Sequence, residues 1–128
     1  MEREMIQKDQ MLRHYITTAL WSSTDESDDR GGSPLDDSYG VDDLADETLA
    51  SMAEDCAEFE RKARHILGKI DDLDYELVGR DFWLTRNGHG AGFWDGDWGE
   101  FGDTLTELCK PFGECYLYVG DDGMIYSN

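Results

Sequence analysis

Apolar residues recur along this chain in three helical stretches and in two stretches with the texture of strands. Met5, Leu12, Ile16, Ala19 and Leu20 share one stripe at helical spacing and predict an amphipathic helix from about Glu4 to Trp21. The clearest periodicity follows at Leu49, Met52, Cys56, Phe59, Ala63 and Ile66, in steps of three and four, and predicts a helix from about Asp43 to Leu67. Acids crowd its first half and bases its second, the polarity a helix dipole favours, and Gly68 supplies a stop. Phe101, Leu105, Leu108, Cys109 and Phe112 predict a third helix, ended by Pro111 and Gly113.

Between these stretches the pattern changes. Ser22 to Gly40 holds Ser, Asp, Gly-Gly and Ser-Pro with almost nothing to bury, which predicts a mobile acidic loop. Phe82 to Arg86 is rich in aromatic and branched residues, Asn87 to Gly90 has turn chemistry, and Gly92 to Trp94 resumes the apolar run, so a hairpin is expected there. A second hairpin is expected where Cys115 to Val119 and Met124 to Tyr126 flank Gly120-Asp121-Asp122-Gly123. Together these elements predict an α+β fold: a small antiparallel sheet of two hairpins with about three helices packed on it. At 128 residues the chain is the size of one domain, and 39% apolar content with fifteen aromatic residues is enough to build a core.

Charge changes the picture more than composition does. Thirty Asp and Glu against eleven Lys and Arg give a formal net charge of −19, more than solubility requires and costly in self-repulsion. Fourteen of the acids and a single base, Arg30, lie between Thr24 and Glu60. Helical carboxylates three or four apart lie about 5–6 Å from one another, a spacing of the order of successive nucleic-acid phosphates. An acidic face for a partner is therefore expected from Asp25, Glu26, Asp28, Asp29, Asp36, Asp37, Asp42, Asp43, Asp46, Glu47, Glu54, Asp55 and Glu58. Its complement is a basic surface, most naturally that of a protein that handles nucleic acid. The same charge argues against direct contact with nucleic acid or an anionic membrane. Salt adaptation would spread acids over the whole surface instead of gathering them in one third of the chain.

Candidate chemistry outside the acids is sparse. Cys56, Cys109 and Cys115 are odd in number, lack metal-like spacing and fall on apolar faces, so reduced thiols in a cytosol are expected, with no secretory segment at the N-terminus. No apolar run is long enough to span a bilayer. Trp83, Arg86, Asn87, His89 and Trp94 around the glycine-rich turn offer an alternative site for an anion or nucleotide, set against the simpler role of closing a hairpin. Asp95, Asp97 and Glu100 resemble a fragment of a calcium loop, but the position that should carry its last acid is Thr106. His14, His65 and His89 are too scattered for a zinc site. No nucleophile with its base, phosphate loop or carboxylate pair stands out, so neither an enzyme nor a cofactor is expected.

The segment Asp81-Phe82-Trp83-Leu84-Thr85-Arg86-Asn87-Gly88-His89-Gly90-Ala91-Gly92-Phe93-Trp94-Asp95 resembles the hallmark of small acidic proteins of tailed phages, prophages and plasmids. Those proteins are similar to this chain also at Ala19-Leu20-Trp21-Ser22-Ser23 and at Tyr118-Val119-Gly120-Asp121-Asp122-Gly123, so the resemblance spans nearly the full chain. It implies a mobile-element origin and brings no reaction with it. The expectation is a mobile-element-encoded inhibitor or adaptor of anti-restriction, anti-CRISPR or DNA-mimic type, acting in the host cytosol. The alternative is a small-ligand or divalent-metal module centred on the glycine-rich hairpin.

Overall fold

The computed structural model describes residues 10–25, 33–88, 92–94 and 98–128. Among them are four α-helices, α1 (Gln10–Ser22), α2 (Asp46–Leu67), α3 (Tyr75–Arg86) and α4 (Gly102–Cys109). Two antiparallel two-stranded ribbons accompany them, β1 (Thr24–Asp25) with β2 (Ser33–Pro34) and β3 (Leu117–Val119) with β4 (Ile125–Ser127). The α+β class holds, with helices in the larger share.

In α2 the apolar steps of three and four become a buried stripe from Leu49 through Ile66, as the periodicity predicts. Asp46 and Glu47 occupy its first turn and Arg64 and His65 its last, each complementing the adjacent end of the helix dipole. The helix starts where β4 anchors it: Ala45 N–H and Thr48 Oγ1 both donate to the Ile125 carbonyl, each at 2.9 Å. The second expected hairpin is present, with Gly123 in the left-handed region at φ 80° closing its turn. The third expected helix is α4, framed by 3-10 turns at Gly99–Phe101 and at Lys110–Phe112, where Pro111 ends the regular ladder.

The first expected hairpin is not formed. Phe82 to Arg86 belongs to α3, whose N-terminus is capped by the Asp74 carboxylate accepting from Glu76 N–H at 2.9 Å. Strand texture misleads here because Val78, Gly79, Phe82 and Trp83 recur at helical spacing, and all four are buried. Gly79 weakens the helical signal in sequence, since glycine disfavours a helix interior. Its place is dictated by packing: a Cβ at Gly79 would stand 2.0 Å from the Met11 carbonyl oxygen, so α1 and α3 cross in direct backbone contact. Beyond α3 the chain leaves through Gly88 (φ 69°), and Phe93 returns to donate its N–H to Thr85 Oγ1 at 2.9 Å.

The expected loop from Ser22 to Gly40 also needs correction at both ends. Thr24 pairs with Pro34 and Asp25 with Ser33, and Leu35 is fully buried in a 3-10 turn at Leu35–Asp37. Its centre, residues 26–32, lies outside the described residues.

One core joins all four helices. Phe59 stacks on Phe82 at 4.4 Å and on Phe93 at 5.6 Å, Tyr15 meets Phe82 and Trp83, and Phe93 packs edge-on to Trp98. Such contacts add about 0.5–1.5 kcal/mol each beyond the area they bury.

Candidate functional site

Arg86 closes α3 with a side chain only 5% exposed. Its Nη1 donates to Asp55 Oδ2 at 2.8 Å and to the Tyr15 hydroxyl at 2.9 Å. Nε and Nη2 donate to the carbonyls of Gly113 and Phe112, at 2.8 and 2.9 Å. Four hydrogen bonds thus join α1, α2 and the turn after α4 to the end of α3, while the guanidinium lies over the rings of Phe82 and Phe112. Burial pushes the Tyr15 phenol well above its ordinary pKa, so it stays a hydroxyl able to accept from Arg86.

The other motif residues are engaged in the same way. Asn87 Nδ2 donates to the Trp83 carbonyl at 2.9 Å and its Oδ1 accepts from Cys115 N–H at 2.7 Å. Trp83 Nε1 donates to Ser22 Oγ at 2.8 Å, which ties the end of α1 to α3. Trp94 is 51% exposed, and His89 lies outside the described residues. The four described residues of the alternative ligand site, Trp83, Arg86, Asn87 and Trp94, therefore do not present one set of free donors. Arg86 is consumed by the fold, while Trp83 and Asn87 present only parts of themselves to a cavity.

That cavity, of about 310 Å³, lies between the Ser22–Thr24 segment and the Glu114–Leu117 segment. A larger one, about 550 Å³, is bounded by the Lys69–Asp74 turn, Leu77 and Trp98–Phe101. Glu100 of the weak metal triplet lines the larger cavity; Asp95 and Asp97 lie outside the described residues. Among the described residues no group of three or more acids, thiols or imidazoles is placed to hold a metal ion.

Sequence reasoning overlooked Asp81, which is completely buried. It accepts from Trp98 Nε1 at 2.5 Å and from Arg80 Nε at 2.9 Å. The available signal was an acid in phase with Val78 and Phe82 once the segment is read as a helix. Among the described residues, no buried side-chain nitrogen or oxygen lacks a hydrogen-bond partner.

Cys56 and Cys109 are buried and Cys115 is half-buried. Burial raises the pKa of Cys115 and pushes that of Cys109 up to about 12. The unfolded thiol titrates near 9, so the unfolded chain releases its proton first as pH rises. Stability held below pH 9 should therefore decline between pH 9 and 12, by up to about tenfold in the unfolding constant per pH unit from this group. Urea midpoints measured under reducing conditions at pH 8 and pH 10.5 test this; Cys109→Ala should show a shallower decline.

The acids expected to form a partner surface divide into two sets. Asp55 is spent on Arg86, and Glu58 pairs with Arg61 and Lys62 one turn further along α2. Asp36 and Asp37 stand exposed on the turn after β2. Asp42 and Asp43 follow on a 3-10 turn at Val41–Asp43, where Asp43 Oδ2 accepts from Gly40 N–H at 2.7 Å. Asp46 and Glu47 open α2, and Glu54 lies two turns beyond Glu47 on the same exposed stripe. Because β4 docks at the start of α2, the β3–β4 turn carries Asp121 and Asp122 to this end of the molecule. Tyr126 links the two, donating to Asp122 Oδ2 at 2.6 Å and lying within the field of Glu47; the bond to Asp122 is the main cause that raises its pKa to about 12. Asp25 lies in β1, and Glu26, Asp28 and Asp29 fall outside the described residues.

No family model matches the chain, and no curated protein or solved structure shows significant similarity to it. No helix among the described residues is long and apolar enough to cross a membrane.

Proposed function

We propose that this chain is a mobile-element-encoded acidic inhibitor or adaptor whose carboxylate band engages a basic, nucleic-acid-handling host protein. The observation that carries the reading is the run from Ser33 to Glu60, which holds ten acids and no base. Asp55 and Glu58 pair with cations of the chain itself, while Asp36, Asp37, Glu47 and Glu54 stand exposed, without a cation partner among the described residues, on the turn after β2 and one face of α2. Self-repulsion on this scale lowers the stability of the free protein, and a cationic surface would relieve it. Complementary fields of this kind speed encounter and exclude wrong partners more than they add raw affinity. The resemblance to phage and plasmid proteins supplies the biological setting.

Capture of partners from host lysate at about 50 mM and 500 mM salt tests the reading, because screening at the higher salt shortens the Debye length to a few ångströms. A basic nucleic-acid-handling protein should be recovered at low salt and lost at high salt. The combined variant Asp36→Asn, Asp37→Asn, Glu47→Gln, Glu54→Gln changes only exposed side chains without a cation partner among the described residues, so it should fold normally and bind at least tenfold more weakly. Recovery of no such partner at either salt, or undiminished binding by the variant, would reject the proposal.

A further inference from the structure

We infer that the outer face of the β3–β4 ribbon seats an arginine side chain of a basic partner, with the guanidinium stacked on the Tyr118–Tyr126 pair and its donors directed to the Asp122 carboxylate. The inference rests on the reading above for the source of the arginine, and on the packing of the ribbon for the seat itself.

Alternation along the ribbon sorts its side chains. Leu117 and Ile125 turn to the core, at 1% and 0% exposure, so Tyr116, Tyr118 and Tyr126 fall on the opposite face, with Tyr118 paired directly to Tyr126. The two rings stack, their centroids 5.9 Å apart and their planes 27° from parallel. Tyr118 is still 40% exposed beside its partner ring, and Tyr116, two residues back on the same face, is 50% exposed. The solvent face of an antiparallel ribbon commonly carries polar residues, whereas this one presents phenols, a side chain enriched at interfaces because one end is apolar and the other wet.

The pair is held in place. Gly120 leaves the space in which the Tyr126 ring lies: a Cβ there would stand 2.6 and 2.8 Å from ring carbons Cε2 and Cδ2. The Tyr126 hydroxyl donates to Asp122 Oδ2 at 2.6 Å, and Asp122 Oδ1 accepts from Met124 N–H at 2.9 Å. Chiefly through the bond from Tyr126, this carboxyl is held below its usual pKa and stays ionised. Each of its oxygens keeps a further lone pair for an incoming donor. A phenol that donates to a carboxylate is polarised by it, which deepens the negative potential over the ring. Rings and charge are thus fixed before a ligand arrives, so little freedom is lost on binding.

Charge selects the occupant. From Glu114 to Asn128 the chain holds three acids, Glu114, Asp121 and Asp122, and no base. The ribbon docks on the start of α2, where Asp46 and Glu47 lie, and the field of Glu47 reaches Tyr126. A cation is therefore drawn to these rings. Arginine suits them better than lysine: its guanidinium is planar, weakly hydrated, stacks on an aromatic face and bonds a carboxylate with paired donors, whereas the ammonium is a strongly hydrated point charge. A surface acting through charge alone would not tell the two apart.

The test uses the whole protein, isotopically labelled at tyrosine, and two peptides of equal charge, acetyl-Gly-Arg-Gly-Arg-Gly-Arg-Gly-amide and its lysine counterpart. The arginine peptide should move the ring signals of Tyr118 and Tyr126, show its own side-chain methylene signals shifted upfield by the ring currents, and bind at least about threefold more tightly than the lysine peptide. Tyr118→Leu, at an exposed position, should erase that preference, and Tyr118→Phe should keep it. Gly120→Ala, which displaces the Tyr126 ring, and Asp122→Asn should each weaken arginine binding at least about twofold. The comparison of peptides on the wild type needs no variant, so it decides the matter even where a variant fails to fold. Equal binding of both peptides, ring signals that stay still while shifts gather at positions 36–54, or an intact arginine preference in Tyr118→Leu would overturn the seat. Ring signals that move with protein concentration alone would mean that the face meets a second copy, and would overturn it too. If Tyr118→Leu captures the host partner as well as the wild type while the neutralised variant does not, the seat fails and the acidic-band reading stands. If the neutralised variant binds undiminished while the arginine preference persists, the acidic-band reading fails and the seat stands.

Discussion

Arg86→Leu is expected to destabilise the protein by about 3–5 kcal/mol, the range for removing one partner of a buried ion pair. Leucine fills much of the volume but leaves Asp55, the Tyr15 hydroxyl and the carbonyls of Phe112 and Gly113 without their donor. A lost donor inside a fold costs more than an average hydrogen bond contributes where the abandoned acceptor is buried, as the Tyr15 hydroxyl is, whereas Asp55 and the Gly113 carbonyl can turn to water. Arg86→Lys keeps the charge but cannot reproduce the planar fork, and should cost roughly 2–3 kcal/mol. Urea unfolding followed by tryptophan fluorescence measures both. A double-mutant cycle with Asp55→Leu separates the ion pair from the two carbonyl bonds, since the double variant should recover part of the loss. A stability change below about 1 kcal/mol for Arg86→Leu would show that these four bonds do not govern the fold.

Gly79→Ala should lower stability by about 3 kcal/mol, at or above the usual cost of overpacking. The sign is opposite to that expected for an ordinary exposed helical glycine, where alanine stabilises by up to about 1 kcal/mol. The added methyl would meet the Met11 carbonyl oxygen at 2.0 Å, with the Met11 carbonyl carbon and the Tyr15 nitrogen each at 3.0 Å. All three obstacles are backbone atoms, so no side chain can turn aside and α1 itself must move. Gly88→Ala is the matched comparison: its φ of 69° is strained for alanine, but the space around it is open, so about 1–2 kcal/mol is expected. Equal urea midpoints for Gly79→Ala and the wild type would contradict the close crossing of α1 and α3.

The motif from Asp81 to Trp94 takes on a different meaning in this light. Asp81, Trp83, Thr85, Arg86 and Asn87 each hold another part of the chain through a polar group. Among the described residues, the polar groups of this motif therefore tie the helices together. The band of acids, built from the less distinctive residues around it, is the surface proposed for a partner.

Much of this architecture was legible in the residues themselves. The apolar steps along α2, the Asp-Gly turn of the second hairpin, the Pro111 stop and the crowding of acids before Glu60 follow from local periodicity, turn chemistry and charge. None of these needs a distant residue to be understood. What tertiary structure alone decided is the state of Phe82 to Arg86, where β-favouring side chains adopt a helix because burying Val78, Phe82 and Trp83 against α1 and Phe59 outweighs tenths of a kilocalorie per residue of local preference. It also decided which acids remain available: Asp55 and Glu54 are neighbours with the same charge, and only the approach of Arg86 from α3 removes the first and leaves the second exposed. Local propensity is a weak force summed over a few residues, whereas long-range contacts bury whole side chains and pair whole charges, so where the two disagreed the contacts prevailed.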